Sequence, residues 1–138
     1  MIVLDTNVIS ALRKPDRHRQ VVAWVGAQHE ADLYLTAISV GELERGAALK
    51  KRGAPGAGAA LDAWVAATVT CFLDRILPFG HEEARIWGRL SAEIGNQGTD
   101  IQIAATVLAR GGTLATRNVR HFAATGVPLV NPYEVSLG

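Results

Sequence analysis

The sequence has little of the features that define several specialised classes of protein. Its 138 residues include one cysteine, five prolines and only 6% aromatic residues. The single cysteine, Cys71, cannot form an internal disulfide, which argues against a disulfide-stabilised secreted scaffold and favours a reducing cytoplasm. Because Cys71 lies in an apolar stretch, we expect it to be a small buried residue of the core.

Long hydrophobic runs and a strong net charge are also absent. The most apolar window, residues 59–73, is interrupted by Asp62 and is shorter than the ~20 residues that a membrane-spanning helix needs. The chain starts M-I-V-L-D, which has no basic region and so does not match a signal peptide. A net charge of +1 gives no strong bias towards nucleic acid. We therefore expect a cytoplasmic protein that makes no contact with a membrane.

The sequence does contain a regular alternation of short apolar runs and segments with helical periodicity. The apolar runs predict five strands, at residues 2–4, 33–36, 76–78, 113–116 and 127–130. The periodic segments predict helices at residues 8–12, 17–28, 39–51, 59–72, 81–94, 99–110 and 119–123. This alternation is typical of an α/β fold with a central, mostly parallel sheet of about five strands that is flanked by helices. The glycine-rich segment 53–58 is expected to be a flexible connection.

Three acidic residues stand where a parallel sheet places its ligands. Asp5 directly follows the first strand, Glu42 lies in the helix after the second strand, and Asp100 opens the helix that leads to the fourth strand. Ligands of open parallel sheets bind at the carboxyl ends of the strands. We expect the three carboxylates to share one site, provided that the helix of Asp100 begins at the same crevice.

Each acid also has a purely structural interpretation. Asp5 could cap the helix that follows it. Ser39 and Glu42 have the S-x-x-E spacing of a capping box. Thr99 could cap the following helix, whose dipole would favour the negative charge of Asp100 in its first turn. Three carboxylates at one sheet edge would, however, repel one another unless a cation neutralised them, which favours a metal site.

The available donors favour Mg²⁺, or Mn²⁺, as this cation. Carboxylate and water oxygens suit these ions, and the sequence has no cysteine or histidine cluster for zinc. Of the four histidines, only His121 lies near the expected site. A metal-bound water can attack phosphorus while the metal offsets charge in the transition state, which is the chemistry of a phosphodiesterase.

At these residues the sequence resembles the PIN-domain nucleases, and among them the VapC toxins of type II toxin–antitoxin systems, especially their FitB-like branch. The matching segments are I-V-L-D-T-N-V-I-S at 2–10, L-T-A-I-S-V-G-E-L at 35–43, D-I-Q-I-A-A-T at 100–106, L-A-T-R-N-V-R-H-F at 114–122 and G-V-P-L-V-N-P at 126–132. They are collinear over nearly the whole chain. The resemblance implies a PIN-like three-layer fold and a single PIN domain over residues 1–138.

The resemblance also implies roles for particular residues. Asp5, Glu42 and Asp100 would be the catalytic residues and the metal ligands. Asn118 and His121 stand where many relatives carry acids, which favours a single weakly held ion. The residues that shape the site or bind substrate would be Thr6, Asn7, Thr116, Arg117, Asn118 and His121.

The implied function is that of a toxin, a Mg²⁺-dependent endoribonuclease that cleaves RNA and inhibits translation. Its partner would be a VapB/FitA-like antitoxin, bound near the helices at 40–51 and 59–72, and operator DNA would be contacted only through that antitoxin. A homodimer or a larger toxin–antitoxin assembly is expected. Basic residues at 13–19 and 45–52, with Arg117 and Arg120, could contact RNA phosphates or form a solvated surface.

Two other functions remain open at this point. A catalytically weak PIN module could act mainly by binding its antitoxin in a DNA-bound autoregulatory complex, and metal-dependent turnover separates this alternative from the nuclease. A phosphatase of the haloacid dehalogenase type also begins with a strand that ends in Asp. That family needs a second Asp two residues later, where this chain has Asn7, so the nuclease is favoured.

Overall fold

The computed structural model describes residues 1–134, and the last four residues of the predicted 1–138 domain lie outside the described residues. The strands are β1 (Ile2–Leu4), β2 (Leu33–Thr36), β3 (Ile76–Leu77), β4 (Thr113–Ala115) and β5 (Leu129–Val130). The helices are α1 (Thr6–Ala11), α2 (Arg19–Gly26), α3 (Ala37–Gly53), α4 (Pro55–Cys71), α5 (His81–Ile94), α6 (Thr99–Arg110) and α7 (Val119–Phe122). The sheet has the order β3-β2-β1-β4-β5, and all its strand pairs are parallel. The predicted α/β architecture is confirmed.

The central strand β1 fixes the edge at which the expected site lies. It pairs with β2 on one side and with β4 on the other, where Leu4 is level with Ala115. The pairing continues one step beyond the strands, because the Asp5 amide donates to the Ala115 carbonyl (2.9 Å) and the Thr116 amide donates to the Val130 carbonyl (2.9 Å). Asp5 and Thr116 are therefore held side by side at the carboxyl edge of the sheet.

Alternate residues of the strands pack into two apolar layers, one on each face of the sheet. Leu4 and Leu35 pack with residues of α1 and α4, and Val3 and Leu114 pack with residues of α6 and α7. These side chains are fully buried, and burying a side chain of this size contributes about 1.5–3 kcal/mol. The three-layer arrangement follows from this period-two alternation. Among the described residues, no helix is both long and apolar enough to cross a membrane.

The prediction of a flexible connection at residues 53–58 was wrong. α3 ends at Gly53 and α4 begins at Pro55, so that only Ala54 separates them. Proline suits the first turn of a helix because its missing N–H would be unpaired there. Gly58 serves packing, since a Cβ at this position would lie 2.5 Å from the Lys51 Cα and N atoms. The glycine lets the two helix backbones approach each other closely.

The prediction that Cys71 is a core residue was also wrong. Cys71 is the last residue of α4 and is exposed. The buried face of α4 is marked by Val65, and a residue six positions later is rotated about 120° away from it. The next residue, Phe72, returns to that face and is buried.

Gly58→Ala is expected to destabilise the fold, because the added methyl group meets the backbone of α3. We expect a loss of about 1–3 kcal/mol in the free energy of unfolding, as for other overpacking changes. Gly56→Ala is the matched control, because nothing lies within 4 Å of a Cβ there, and alanine favours a helix over glycine by up to ~1 kcal/mol. Urea unfolding of both variants measures the difference, and equal stabilities would contradict the packing role of Gly58.

Candidate active site

The three predicted acids line one cleft at the carboxyl edge of the sheet. Asp5 follows β1, Glu42 lies near the start of α3, and Asp100 lies in the first turn of α6. α6 therefore does begin at the crevice formed by the strand ends. The cleft has a volume of about 280 Å³, and its lining residues are Asp5, Thr6, Asn7, Ser10, Glu42, Asp100 and Asn118.

Asp5 is held from several sides. Its Oδ1 accepts a hydrogen bond from the Thr6 amide (2.8 Å), so it is the N-cap of α1. Its Oδ2 accepts from the Thr116 hydroxyl (2.7 Å) and from Asn7 Nδ2 (3.2 Å). Asp5 is only 4% exposed. The capping interpretation of Asp5 is confirmed, and the same carboxylate lines the cleft.

Burial raises the pKa of Asp5 above its ordinary value near 3.8. The hydrogen bonds from Thr116 and Thr6 favour the charged form and oppose this rise, whereas the negative charges of Asp100 and Glu42 add to it. The cleft thus disfavours the accumulation of negative charge. A cation placed in it would relieve both the burial cost and the repulsion.

The capping-box interpretation of Glu42 was wrong. α3 begins at Ala37 with Thr36 as its N-cap, and the Thr36 hydroxyl accepts from the Ser39 amide (3.0 Å). Ser39 is therefore the third helical residue, and Glu42 is too far along the helix to reach the cap. Glu42 instead accepts from the Thr6 hydroxyl (2.8 Å) at Oε1 and from the Thr99 hydroxyl (3.2 Å) at Oε2.

Thr99 is not the cap of α6, contrary to that structural alternative. The N-cap position is taken by Gly98, and Thr99 is the first helical residue, with its hydroxyl directed to Glu42. Asp100 is more accessible than Asp5, with its side chain 36% exposed. Its Oδ2 lies 3.5 Å from Nδ1 of His121, whose side chain is 67% exposed.

The loop after β4 is tied to the site through Thr116 and Asn7. The buried Thr116 hydroxyl, which donates to Asp5, also accepts from the Asn118 amide (3.0 Å). Asn7 Oδ1 accepts from the Arg117 amide (3.2 Å). Of the predicted site-shaping residues, Thr6, Asn7 and Asn118 line the cleft directly. Thr116 and His121 instead contact its acids, and Arg117 is joined to the site through Asn7.

The sequence reasoning missed several residues that contact the site. Ser10 lines the cleft one helical turn after Thr6, a spacing that could have indicated it. Tyr133 donates its hydroxyl to the Asn7 carbonyl (3.2 Å). His18 packs edge-on against the Tyr133 ring, with centroids 6.0 Å apart. No periodicity or motif in the sequence indicates the contacts of Tyr133.

The donors at the cleft fit a hard divalent ion held partly through water. Within residues 1–134, no three acidic, histidine or cysteine side chains are close enough to form a preformed ligand cluster. Three carboxylates nevertheless line one cleft, and Mg²⁺ characteristically keeps several of its waters and uses few direct carboxylate ligands. The set contains no sulfur, so it does not match a structural zinc site.

A parallel α/β sheet with three acids at its carboxyl edge is the arrangement of a domain that can bind a hard divalent ion at that edge. The PIN domain family profile matches residues 2–127, and the chain belongs to the PIN-domain family, which confirms the family predicted above. PIN nucleases are generally dependent on a divalent metal.

Individual relatives cover almost the whole chain. It is 38% identical over 139 residues to the VapC ribonuclease Y4jK of Sinorhizobium fredii, covering 97% of this chain and 99% of that protein. It is 36% identical, with the same coverage, to the toxin FitB of Neisseria gonorrhoeae. A solved structure of FitAB bound to an IR36 DNA fragment is similar with a TM-score of 0.83 and 34% identity, covering 99% of this chain and 98% of that one.

Asp5→Asn is expected to change the free energy of unfolding in a pH-dependent way. Because folding raises the pKa of Asp5, its charged form destabilises the fold above the folded pKa, and this cost disappears as the pH falls towards 3.8. The stability of Asp5→Asn relative to the unaltered protein should therefore be highest near neutral pH and should decline as the pH falls.

Urea unfolding in EDTA at a series of pH values from about 7 down to about 4 measures this trend. Asp16→Asn is the control, because Asp16 is exposed and lies outside the cleft, and it should show no comparable trend. A relative stability of Asp5→Asn that rises as the pH falls would contradict the burial of a charged Asp5.

Proposed function

We propose that this chain is the toxin of a type II toxin–antitoxin pair, a Mg²⁺-dependent endoribonuclease that hydrolyses RNA phosphodiester bonds and inhibits translation. The observation that carries the proposal is the cleft in which Asp5, Glu42 and Asp100 meet from three separate elements. Similarity over 97% of the chain to a VapC ribonuclease and to the toxin FitB supports it. Because it would cleave cellular RNA, the proposed toxin would act in the cytoplasm.

The three carboxylates would hold the metal ion, with Mg²⁺ expected and Mn²⁺ as a substitute. When bound, such an ion supplies a water nucleophile and offsets charge on the phosphate. Asp5 is fixed in orientation by Thr116 and Asn7, and Glu42 is fixed by hydroxyl donors. Asp100 is more accessible than Asp5, with its side chain 36% exposed, so it can adjust to the ion and its waters.

Asn118 and His121 favour a single ion. Asn118 places an amide at the cleft, and His121 lies beside Asp100, so neither adds a carboxylate to the set. With three carboxylates and no fourth acid on the cleft, the ligand set suits one divalent ion better than two. We also propose that Asn118 and His121 shape the site or bind substrate.

The proposed protein partner is a VapB/FitA-like antitoxin, through which operator DNA would be bound. A groove of about 410 Å³ adjoins the acidic cleft and shares Thr6, Ser10 and Glu42 with it. One wall is apolar and the other is basic, which suits a peptide with apolar and acidic side chains. The apolar wall consists of Leu43, Leu61 and Trp64, and the basic wall consists of Arg13, Lys14 and Arg17.

The assembly expected from this proposal is a homodimer or a larger toxin–antitoxin complex. The solved FitAB structure, which is bound to DNA and resembles this chain at 34% identity, supports the antitoxin and DNA parts of it. The family match to residues 2–127 favours a single PIN domain over residues 1–138. This domain assignment stays a prediction.

The nuclease is tested by incubating purified, antitoxin-free protein with total cellular RNA in Mg²⁺, in Mn²⁺ and in EDTA. We expect discrete fragments that require metal. Asp5→Asn, Glu42→Gln and Asp100→Asn should each reduce the cleavage rate by about 100-fold or more, as the loss of groups that hold a metal does. Since Glu42 is not part of a cap, Glu42→Gln should remain folded, as circular dichroism can verify.

Asp16→Asn is the matched control and should cleave as the unaltered protein does. Intact RNA from a folded protein that has been supplied with metal would contradict the proposal. It would favour the alternative, a catalytically weak PIN module that acts mainly by binding its antitoxin in a DNA-bound autoregulatory complex. The observations that favour this alternative are the lack of a preformed ligand cluster in residues 1–134 and the non-acidic Asn118 and His121.

A further inference from the structure

Tyr133 anchors the chain segment after β5 to the active-site cleft. It lies in a turn in which its amide donates to Asn131 Oδ1 (3.0 Å) and the Glu134 amide donates to the Asn131 carbonyl (3.1 Å). Its hydroxyl donates to the carbonyl of Asn7, whose side chain donates to Asp5. The turn and the packing of Tyr133 against the apolar core keep its ring beside the cleft, although residue 133 lies beyond the segment matched by the family profile.

The fixed ring supports the side chain of Arg117. The Arg117 Cζ atom lies 5.2 Å from the centre of the Tyr133 ring, which is within the range of a cation–π contact. The backbone of Arg117 is held as well, because its amide donates to Asn7 Oδ1. A guanidinium held over an aromatic ring in this way loses less freedom on binding a ligand than the flexible side chain of a lysine would.

The Arg117 guanidinium is accessible to a ligand. Arg117 is exposed, and in residues 1–134 no ion pair joins it to a carboxylate. His18, which lines the groove next to its basic wall, contacts the same Tyr133 ring. Tyr133 therefore lies between Arg117 and that basic wall, at the rim of a cleft whose own charges are negative.

We infer that Tyr133 is a positioning residue that holds the Arg117 guanidinium at the rim of the cleft, where this guanidinium binds a backbone phosphate of the RNA. The inference rests on the proposed function, because it names how that substrate is held. A polyanion that approaches three carboxylates meets repulsion, and a fixed cation at the rim offsets it. Phosphate contacts of this kind fix the register of a nucleic acid without reading its sequence.

A purely structural role for Tyr133 makes different predictions from this one. In that role the hydroxyl bond to Asn7 matters and the ring contact does not. Tyr133→Phe removes the hydroxyl and keeps the ring, whereas Tyr133→Leu removes the ring. Arg117→Ala removes the phosphate-binding group itself, and Arg89→Ala is a control that removes an exposed positive charge from α5, outside both basic clusters.

The test measures binding of a fluorescein-labelled single-stranded RNA by anisotropy, in EDTA so that no cleavage occurs, at several salt concentrations. Arg117→Ala and Tyr133→Leu should each raise Kd about tenfold, as the loss of a hydrogen bond to a charged group does. Arg117→Ala should also lower the salt slope by about 1, whereas Tyr133→Leu keeps the positive charge and should keep the slope. The double variant should bind no more weakly than either single variant. Tyr133→Phe and Arg89→Ala should stay within about twofold of the unaltered protein, since both keep the contact between Arg117 and the ring.

Cleavage kinetics with metal provide a second readout, in which Arg117→Ala and Tyr133→Leu should raise KM and leave kcat nearly unchanged. If circular dichroism shows that Tyr133→Leu is unfolded, Arg117→Lys replaces it in the test. Lysine keeps the positive charge but lacks the planar guanidinium that lies over the ring. This variant should bind RNA more weakly than the unaltered protein while keeping the salt slope.

Three outcomes would overturn the inference. They are unaltered binding by Arg117→Ala, additive losses in the double variant, and a Tyr133→Phe defect as large as that of Tyr133→Leu. Failure of the nuclease itself is distinguishable, because the unaltered protein would then leave RNA intact in metal whatever the binding data show.

Discussion

The site depends on one buried carboxylate at the end of the central strand. Asp5 is almost fully buried, so its charge is tolerated only because hydrogen-bond donors surround it. The parallel pairing of β1 with β4 places Thr116 beside it, and α1 begins at it. Asn7 donates to this carboxylate, and the loop after β4 and the turn after β5 are both hydrogen-bonded to Asn7. The need to supply donors to Asp5 therefore organises all three segments.

The three acids of the cleft differ in how firmly they are held, and this difference matches their origin in the fold. Asp5 comes from the rigid centre of the sheet, and Glu42 is bracketed by the hydroxyls of Thr6 and Thr99. Asp100 is half-exposed, and its Oδ2 lies 3.5 Å from the exposed imidazole of His121. A site with two firmly held carboxylates and one that can move suits an ion that keeps part of its water shell.

Much of the fold and of the site could be predicted from the sequence because the deciding signals are local. Short apolar runs locate the strands, an acid directly after a strand locates the cleft, and Gly111, with a φ of 66°, ends α6 where a left-handed residue is needed. The start of α3 was misplaced because Thr36 and Ser39 are both good caps, and only the tertiary structure decides between them. The contacts of Tyr133 could not be predicted, because its partners lie far away in the sequence and no periodic pattern indicates them.

The junction of α3 and α4 has a consequence for experimental manipulation of this protein. Glycine-rich surface segments are where a protease usually cuts and where a tag or a reporter domain is usually inserted. Here the segment 53–58 is helical on both sides of Ala54, and Gly58 is pressed against Lys51. An insertion there would separate two helices that pack against each other, one carrying Glu42 and the other carrying Trp64. Limited proteolysis should therefore spare this junction, and labels belong elsewhere on the surface.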